Sequence, residues 1–208
     1  MILDVKMEDF RRKARLVAGR HTTEPPSTIT YAIVVSRDTD SIDLALVSLN
    51  YFPVKVADIQ NAYITATATE NILRVMGPEF DKDSGRKTIV VWDHYGLKSA
   101  GDASRNHLAY FMHHLGFLPC PYDLDICMKP LVRPDYGFNY HAYVSIYVDD
   151  VMVINHDAES VLRRRDKYFM LKPSSIGDPD IYLGAKLNKM ILENGLWAWA
   201  NIPAIYVK

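Results

Sequence analysis

The chain has 208 residues, 49% of them hydrophobic and 24% charged, enough for one large domain or two small lobes on a shared core. Its 24 basic and 25 acidic residues nearly cancel, so bulk charge offers no case for nucleic-acid binding and any such contact must come from local patches. The two cysteines, Cys120 and Cys127, exclude a disulfide framework, no run approaches the ~20 apolar residues of a membrane span, and the N-terminus lacks a signal-peptide pattern, which together predict a soluble protein of a reducing interior.

The opening segment is basic, with Lys6, Arg11, Arg12, Lys13, Arg15 and Arg20. A strand over 11–18 puts Arg11, Lys13 and Arg15 on one face. Residues 21–30, which hold Pro25-Pro26 and several Thr and Ser, form a loop. The spacing of Ile42, Leu44, Ala45, Leu46 and Leu49 predicts a helix over 38–50, packed through that side. Val54, Val56 and Ile59 predict a short buried strand over 54–59, with Asp58 near its end. Further strands follow over 71–76 and 88–92, joined by a polar turn at 81–87. A helix over 102–115 carries an apolar stripe of Leu108, Phe111, Met112 and Leu115, and Gly116 ends it.

The clearest feature is 141–155, HAYVSIYVDDVMVIN. Two β-rich runs flank Asp149-Asp150, which predicts a hairpin with an acidic pair at its tip. A basic amphipathic helix is expected over 159–168 and a strand over 181–190. Asn194-Gly195 then makes a tight turn into a strand over 196–200. Residues 204–208 look like the start of another helix.

Adjacent carboxylates repel, which raises the cost of ionising both. A divalent cation removes that cost, and magnesium prefers carboxylate oxygen. An Asp-Asp pair alone is also an ordinary polar turn. Asp58, at the end of a second buried strand, adds a third acid. If the two strands are neighbours, the three carboxylates suit two metal ions about 4 Å apart, the arrangement for in-line phosphoryl displacement. Spacing alone leaves the neighbourhood of the strands open. His113, His114, Cys120 and Cys127 fit no common zinc spacing. Arg163-Arg164-Arg165 reads as a solvated helix face rather than a backbone-binding patch. Gly177, Gly184 and Gly195 form no phosphate loop.

The segments Asp58-Ile-Gln-Asn-Ala-Tyr63 and Tyr147-Val-Asp-Asp150 resemble the catalytic motifs of reverse transcriptases. Lys13 to Ala18, Tyr95-Gly-Leu-Lys98, Asp123 to Cys127 and Tyr182-Leu-Gly184 narrow the resemblance to the copia-type LTR retrotransposon family, in that family's order. The resemblance implies an α+β right-hand polymerase: a palm with an antiparallel sheet backed by helices, plus partial fingers. It implies partial fingers over 1–50, a palm over 51–190 with a fingers insertion near 64–97, and the start of a palm–thumb connection over 191–208. The implied activity is RNA-directed DNA polymerase, a two-metal nucleotidyl transfer onto a primer 3′-hydroxyl. Asp58, Asp149 and Asp150 would be catalytic and would ligate two Mg2+ ions, with Mn2+ as a substitute. Lys13, Arg15, the Ile59 carbonyl, Tyr63 and Lys98 would bind the nucleotide. Tyr63 would stack under its sugar. The implied partners are an RNA or DNA template with its primer and deoxynucleoside triphosphates, with no membrane. The implied location is cytoplasmic, in a virus-like particle, or nuclear.

Two features depart from the family. The loop after Lys98 reads Ser99-Ala-Gly-Asp-Ala-Ser104, so Asp102 stands where the family commonly has Arg and Ser104 where it has an aromatic; His94 replaces a Leu. The chain also begins within the fingers and stops where a thumb is expected, with no protease, integrase or ribonuclease H region. Both features suit a polyprotein fragment or an inactive retroelement remnant that keeps the fold and weak nucleic-acid binding. A plain structural domain is a third alternative.

Overall fold

The computed structural model describes residues 2–6, 10–15, 17, 36–68, 72–135, 137–165, 169–183 and 185–202. The expected loop over 21–30 and the expected helix start over 204–208 lie outside them. The described elements run β1 (Ile2–Lys6), β2 (Arg11–Arg15), α1 (Arg37–Asn50), β3 (Val54–Asp58), β4 (Leu73–Val75), β5 (Lys87–Ile89) and α2 (Ala100–His114). There follow β6 (Leu118–Pro119), β7 (Ile126–Val132), β8 (Asn139–Tyr147), β9 (Asp150–Ile154), α3 (Ala158–Arg165), β10 (Ile181–Tyr182), β11 (Ala185–Ile191) and β12 (Trp197–Ile202). This is a mixed α/β fold whose paired strands are antiparallel. Among the described residues no helix is long and apolar enough to cross a membrane.

The chain divides into two units, residues 1–32 with 61–108, and residues 33–60 with 109–208. In the first, β1 pairs with β2 and β4 with β5. A small core of Leu97 and Ala100 receives Tyr63, Ile72 and Val90. The turn expected at 81–87 instead begins as a 3-10 segment, Pro78–Asp83, before Gly85 turns the chain at φ +82°.

The second unit is built on a five-stranded sheet in the order β3-β9-β8-β7-β6. Its centre is the apolar run that the sequence marks out. Val151, Met152 and Val153 are wholly buried, and because neighbours in a strand face opposite ways, β9 must be covered on both faces. β7 is a strand that the sequence reading does not include, and it carries Pro130, which a strand paired on both sides disfavours. The register explains the tolerance: β6 pairs only as far as Leu118↔Met128, so Pro130 lies where β7 is an edge and no ladder donor is needed on that side. The single strand expected over 181–190 is broken at Leu183 (φ 52°) into the hairpin β10–β11. α3 packs against β3 and β9, and α1 against β12.

α1 starts at Ser36, whose hydroxyl accepts from the Thr39 N–H at 3.1 Å, and closes at Tyr51 in the left-handed region. Its buried stripe is not the expected one. Ile42 and Leu49 are 60% and 76% exposed, whereas Asp40, Asp43, Leu44 and Val47 face inward. Those four follow i, i+3, i+4, i+7, the spacing of a core-facing helix stripe. Two of the four positions are acids. α2 buries Leu108 and Met112 as expected, and Gly116 (φ +81°) ends it by donating to the His113 carbonyl at 2.8 Å.

Candidate functional site

β3 pairs with β9 so that Asp58 stands directly opposite Asp150, and Tyr147 of β8 stands opposite Asp150 on the other side. Directly paired residues project from the same sheet face, so Asp58, Asp150 and Tyr147 share one face at the end of the central strands. β8 and β9 are joined by only Val148 and Asp149. A two-residue hairpin loop requires positive φ, and Val148 takes φ 56° although it is β-branched. Such a conformation costs about 1–3 kcal/mol and persists only where its surroundings enforce it. Part of that enforcement is a tie from the Ile59 N–H to the Asp149 carbonyl at 2.7 Å, which fixes the loop against the end of β3.

The outer edge of β3 is covered by residues 171–177. Val56 and Gly177 exchange both backbone hydrogen bonds, at 2.9 and 3.1 Å, and the Lys172 N–H donates to the Asp58 carbonyl at 2.9 Å. The Asp58 N–H donates to Ser175 Oγ at 3.3 Å. The Lys172 side chain returns to the same residue and forms an ion pair between its Nζ and Asp58 Oδ2. Asp58 Oδ1 is buried with no hydrogen-bond partner. The Asp150 carboxyl is pushed up to about 6, first by burial, then by the negative charges of Asp149 and Asp58, with Lys172 acting the other way.

These residues suit a divalent ion chemically. The donors are carboxylate oxygens, one of them unpartnered, and the crowding of like charge is what a cation relieves. Among the described residues no group of three or more His, Cys, Asp or Glu side chains stands close enough together to hold a metal ion.

A second acidic group occupies the same sheet face. Ser145 lies two residues before Tyr147 on β8, and its hydroxyl donates to Asp43 Oδ2 from beneath α1. Asp40 is beside Asp43, with one carboxylate oxygen unpartnered. Burial pushes Asp40 up to about 7, reinforced by the charges of Asp43 and Asp123. Burial also pushes Asp43 up to about 6, against the Ser145 hydrogen bond and with a smaller contribution from Asp123. Tyr182, 4% exposed with its hydroxyl unpartnered, is raised well above the usual range by burial and then by Asp40, Asp150, Asp43 and Tyr147. It therefore lies within electrostatic reach of both acidic groups.

The structure brings Asp58, Ile59, Asp149 and Asp150 together in the second unit. The other expected nucleotide-binding residues belong to the first. Lys13 and Arg15 are on β2, opposite Asp4 and Ile2. Tyr63 is half-buried in a 3-10 turn, Ala62–Thr65, edge-on to Tyr95 with centroids 5.1 Å apart. Lys98 is half-buried between Leu97 and Ser99. The two departures in the loop after Lys98 have local structural roles. Asp102 sits in the first turn of α2, where an acid opposes the helix dipole favourably, and accepts from Asn106 Nδ2 at 3.0 Å. Ser104 Oγ donates to the Ala62 carbonyl at 3.1 Å. Lys172 and Ser175 escape sequence reasoning, since a lone Lys in a polar segment carries no spacing signal.

Comparison with known proteins follows the same lines. The family described as reverse transcriptase (RNA-dependent DNA polymerase) matches residues 3–195. Two curated Arabidopsis thaliana proteins are similar. The retrovirus-related Pol polyprotein from transposon RE2 is 28% identical over 156 residues, and that from transposon RE1 is 27% identical over 160 residues. Each match covers 71% of this chain and 10% of the relative, so the chain spans about a tenth of their length. No solved structure matches.

Proposed function

The chain belongs to the reverse transcriptase (RNA-dependent DNA polymerase) family, with the copia-type retrotransposon resemblance its motifs carry, and on that premise we propose that its second unit is a polymerase palm with Asp58, Asp149 and Asp150 as metal-binding carboxylates. The observation that carries this reading is the register that sets Asp58 opposite Asp150 beside the Asp149 turn. When bound, divalent ions supply charge neutralisation on the triphosphate and a lowered pKa for the primer 3′-hydroxyl. The chain's own part is to hold the carboxylates rigidly: the Ile59–Asp149 tie fixes the loop, and residues 171–177 fix β3.

In this reading the first unit supplies fingers. Lys13, Arg15 and Lys98 neutralise triphosphate or template charge, and Tyr63 presents a ring, steadied by Tyr95, to the incoming sugar. The substrates are deoxynucleoside triphosphates and a primed RNA or DNA template. The protein then works inside the cell, in a cytoplasmic particle or the nucleus. The test is primer extension on an RNA template with Mg2+ or Mn2+, using the full chain. The expected outcome is incorporation that Asp149→Asn lowers by more than about 100-fold, above what changes in a metal's outer shell produce. Equal incorporation by both proteins rules the assignment out.

A second reading, an inactive remnant that keeps the fold, is favoured by α1. Two carboxylic acids at core positions of one helix weaken the folded state without touching the metal-binding acids. Its outcome in the same assay is no incorporation by a folded chain whose Asp58, Asp149 and Asp150 are intact.

A further inference from the structure

Lys172 is held on Asp58 twice. Its backbone N–H donates to the Asp58 carbonyl and its ammonium pairs with Asp58 Oδ2, while the Ile59–Leu171 bridge and the Ser175 contact keep the segment in register. Among the described residues Asp58 is the one acid of the three with an ion pair, and its other oxygen is left without a hydrogen bond. A cation and a divalent ion cannot share Oδ2 without repelling each other at close range. We propose that Lys172 is the resident counter-ion of Asp58: it neutralises the carboxylate in the metal-free protein, yields it when a divalent ion binds, and so lowers the protein's intrinsic affinity for the metal.

The inference rests on the reading of Asp58 as a metal ligand. Its physical content is a competition. The Lys172 side chain is 48% exposed and that of Asp58 29%, so the ammonium has water to move into and the ion pair is not locked by burial. The backbone bonds that tie Lys172 to β3 do not involve the side chain, so the ammonium can leave while the segment stays in place.

The experiment is a Mn2+ titration followed by the electron paramagnetic resonance signal of the free ion, on the full chain without nucleic acid. Lys172→Met is expected to bind Mn2+ about two- to fivefold tighter, the range set by what a part-exposed ion pair contributes. Lys172→Gln, which keeps a polar tip in the same space, is expected to do the same. In an Asp58→Asn background the Lys172→Met change is expected to have no effect. Wild-type or weaker binding by both lysine variants overturns the proposal, as does tighter binding that persists in the Asp58→Asn background, which would mark a general field effect. If Asp58→Asn and Asp149→Asn both bind Mn2+ like the wild type, the metal-site reading itself fails and takes the proposal with it. Loss of binding in those two with unchanged lysine variants sinks the proposal alone.

Discussion

The second unit carries two groups of acids on one face of its sheet, and they are solved in different ways. At the hairpin tip, Asp58, Asp149 and Asp150 are half-buried, and a lysine already sits on one of them. Under α1, Asp40 and Asp43 are 3% and 2% exposed, and no cation pairs with them among the described residues. The first group leaves its acids within reach of water and of cations. The second is closed off: burial pushes both carboxyls up, and the Ser145 hydroxyl offsets part of that at Asp43. Partial exposure thus separates acids that can change partners from acids that only lower stability.

The largest effect expected from breaking that contrast is at the tip. Asp150→Asn should lower Mn2+ binding by more than about 100-fold while the urea midpoint holds or rises, because a crowded buried charge is gone. Asp43→Asn should leave Mn2+ binding unchanged, measured in the same titration. Metal loss in Asp43→Asn would mean the two groups are one site.

Next is Asp40→Val, which replaces a buried, half-satisfied carboxyl by an apolar side chain in the core stripe of α1. It should stabilise the fold by about 1–3 kcal/mol at pH 8, the range for an unsatisfied buried polar group, as read by urea unfolding. Closely linked is the pH dependence of the parent chain. Asp40 and Asp43 titrate near 7 and 6 when folded but near 3.8 when unfolded. Between those values the unfolded state holds fewer protons, so stability falls as pH rises from about 4 to about 7 and levels off above. The melting temperature should therefore be higher at pH 5 than at pH 8, and the Asp40→Val, Asp43→Asn double variant should remove most of that slope and leave the part that belongs to Asp150.

Smaller still is Val148→Gly, which removes the steric cost of φ 56° at the hairpin loop and should add about 1 kcal/mol to the unfolding free energy. The least is Ser175→Ala. It removes the two long hydrogen bonds that Ser175 Oγ makes with the Asp58 backbone and should cost about 0.5–1 kcal/mol by the same unfolding measurement.

The tip was legible in the sequence because apolar runs of strand length, rich in β-branched and aromatic residues, flank Asp149-Asp150 on both sides, and length and composition together favour strand over helix. Its partner strand was legible for the same reason, though not the register that sets Asp58 against Asp150. The acids of α1 were not. Helical spacing predicted a side of Ile42, Leu44, Ala45, Leu46 and Leu49, and only Leu44 of these is buried. The observed stripe contains Asp40 and Asp43, which hydropathy assigns to solvent; their burial is decided by the neighbours α1 meets, Ser145 and Tyr182 among them. β7 was not read from the sequence; its Pro130 is tolerated because the side that its missing donor faces is unpaired at that position. Lys172 was hidden because its partner lies 114 residues away in sequence.

The cover over β3 has a consequence outside the chemistry of metals. Val56 and Asp58 both turn their backbone N–H and C=O groups away from β9, and all four are taken: Val56 by Gly177, Asp58 by Lys172 and Ser175. A sheet that ends on an unpaired strand is a template for another chain to add to, and natural proteins blunt such edges with charge or with a covering loop. Residues 171–177 do both for β3, with a backbone lid and a lysine. The strand that presents Asp58 is thereby closed to edge-on association with a second copy, and a chain crowded beside its own kind keeps that strand to itself.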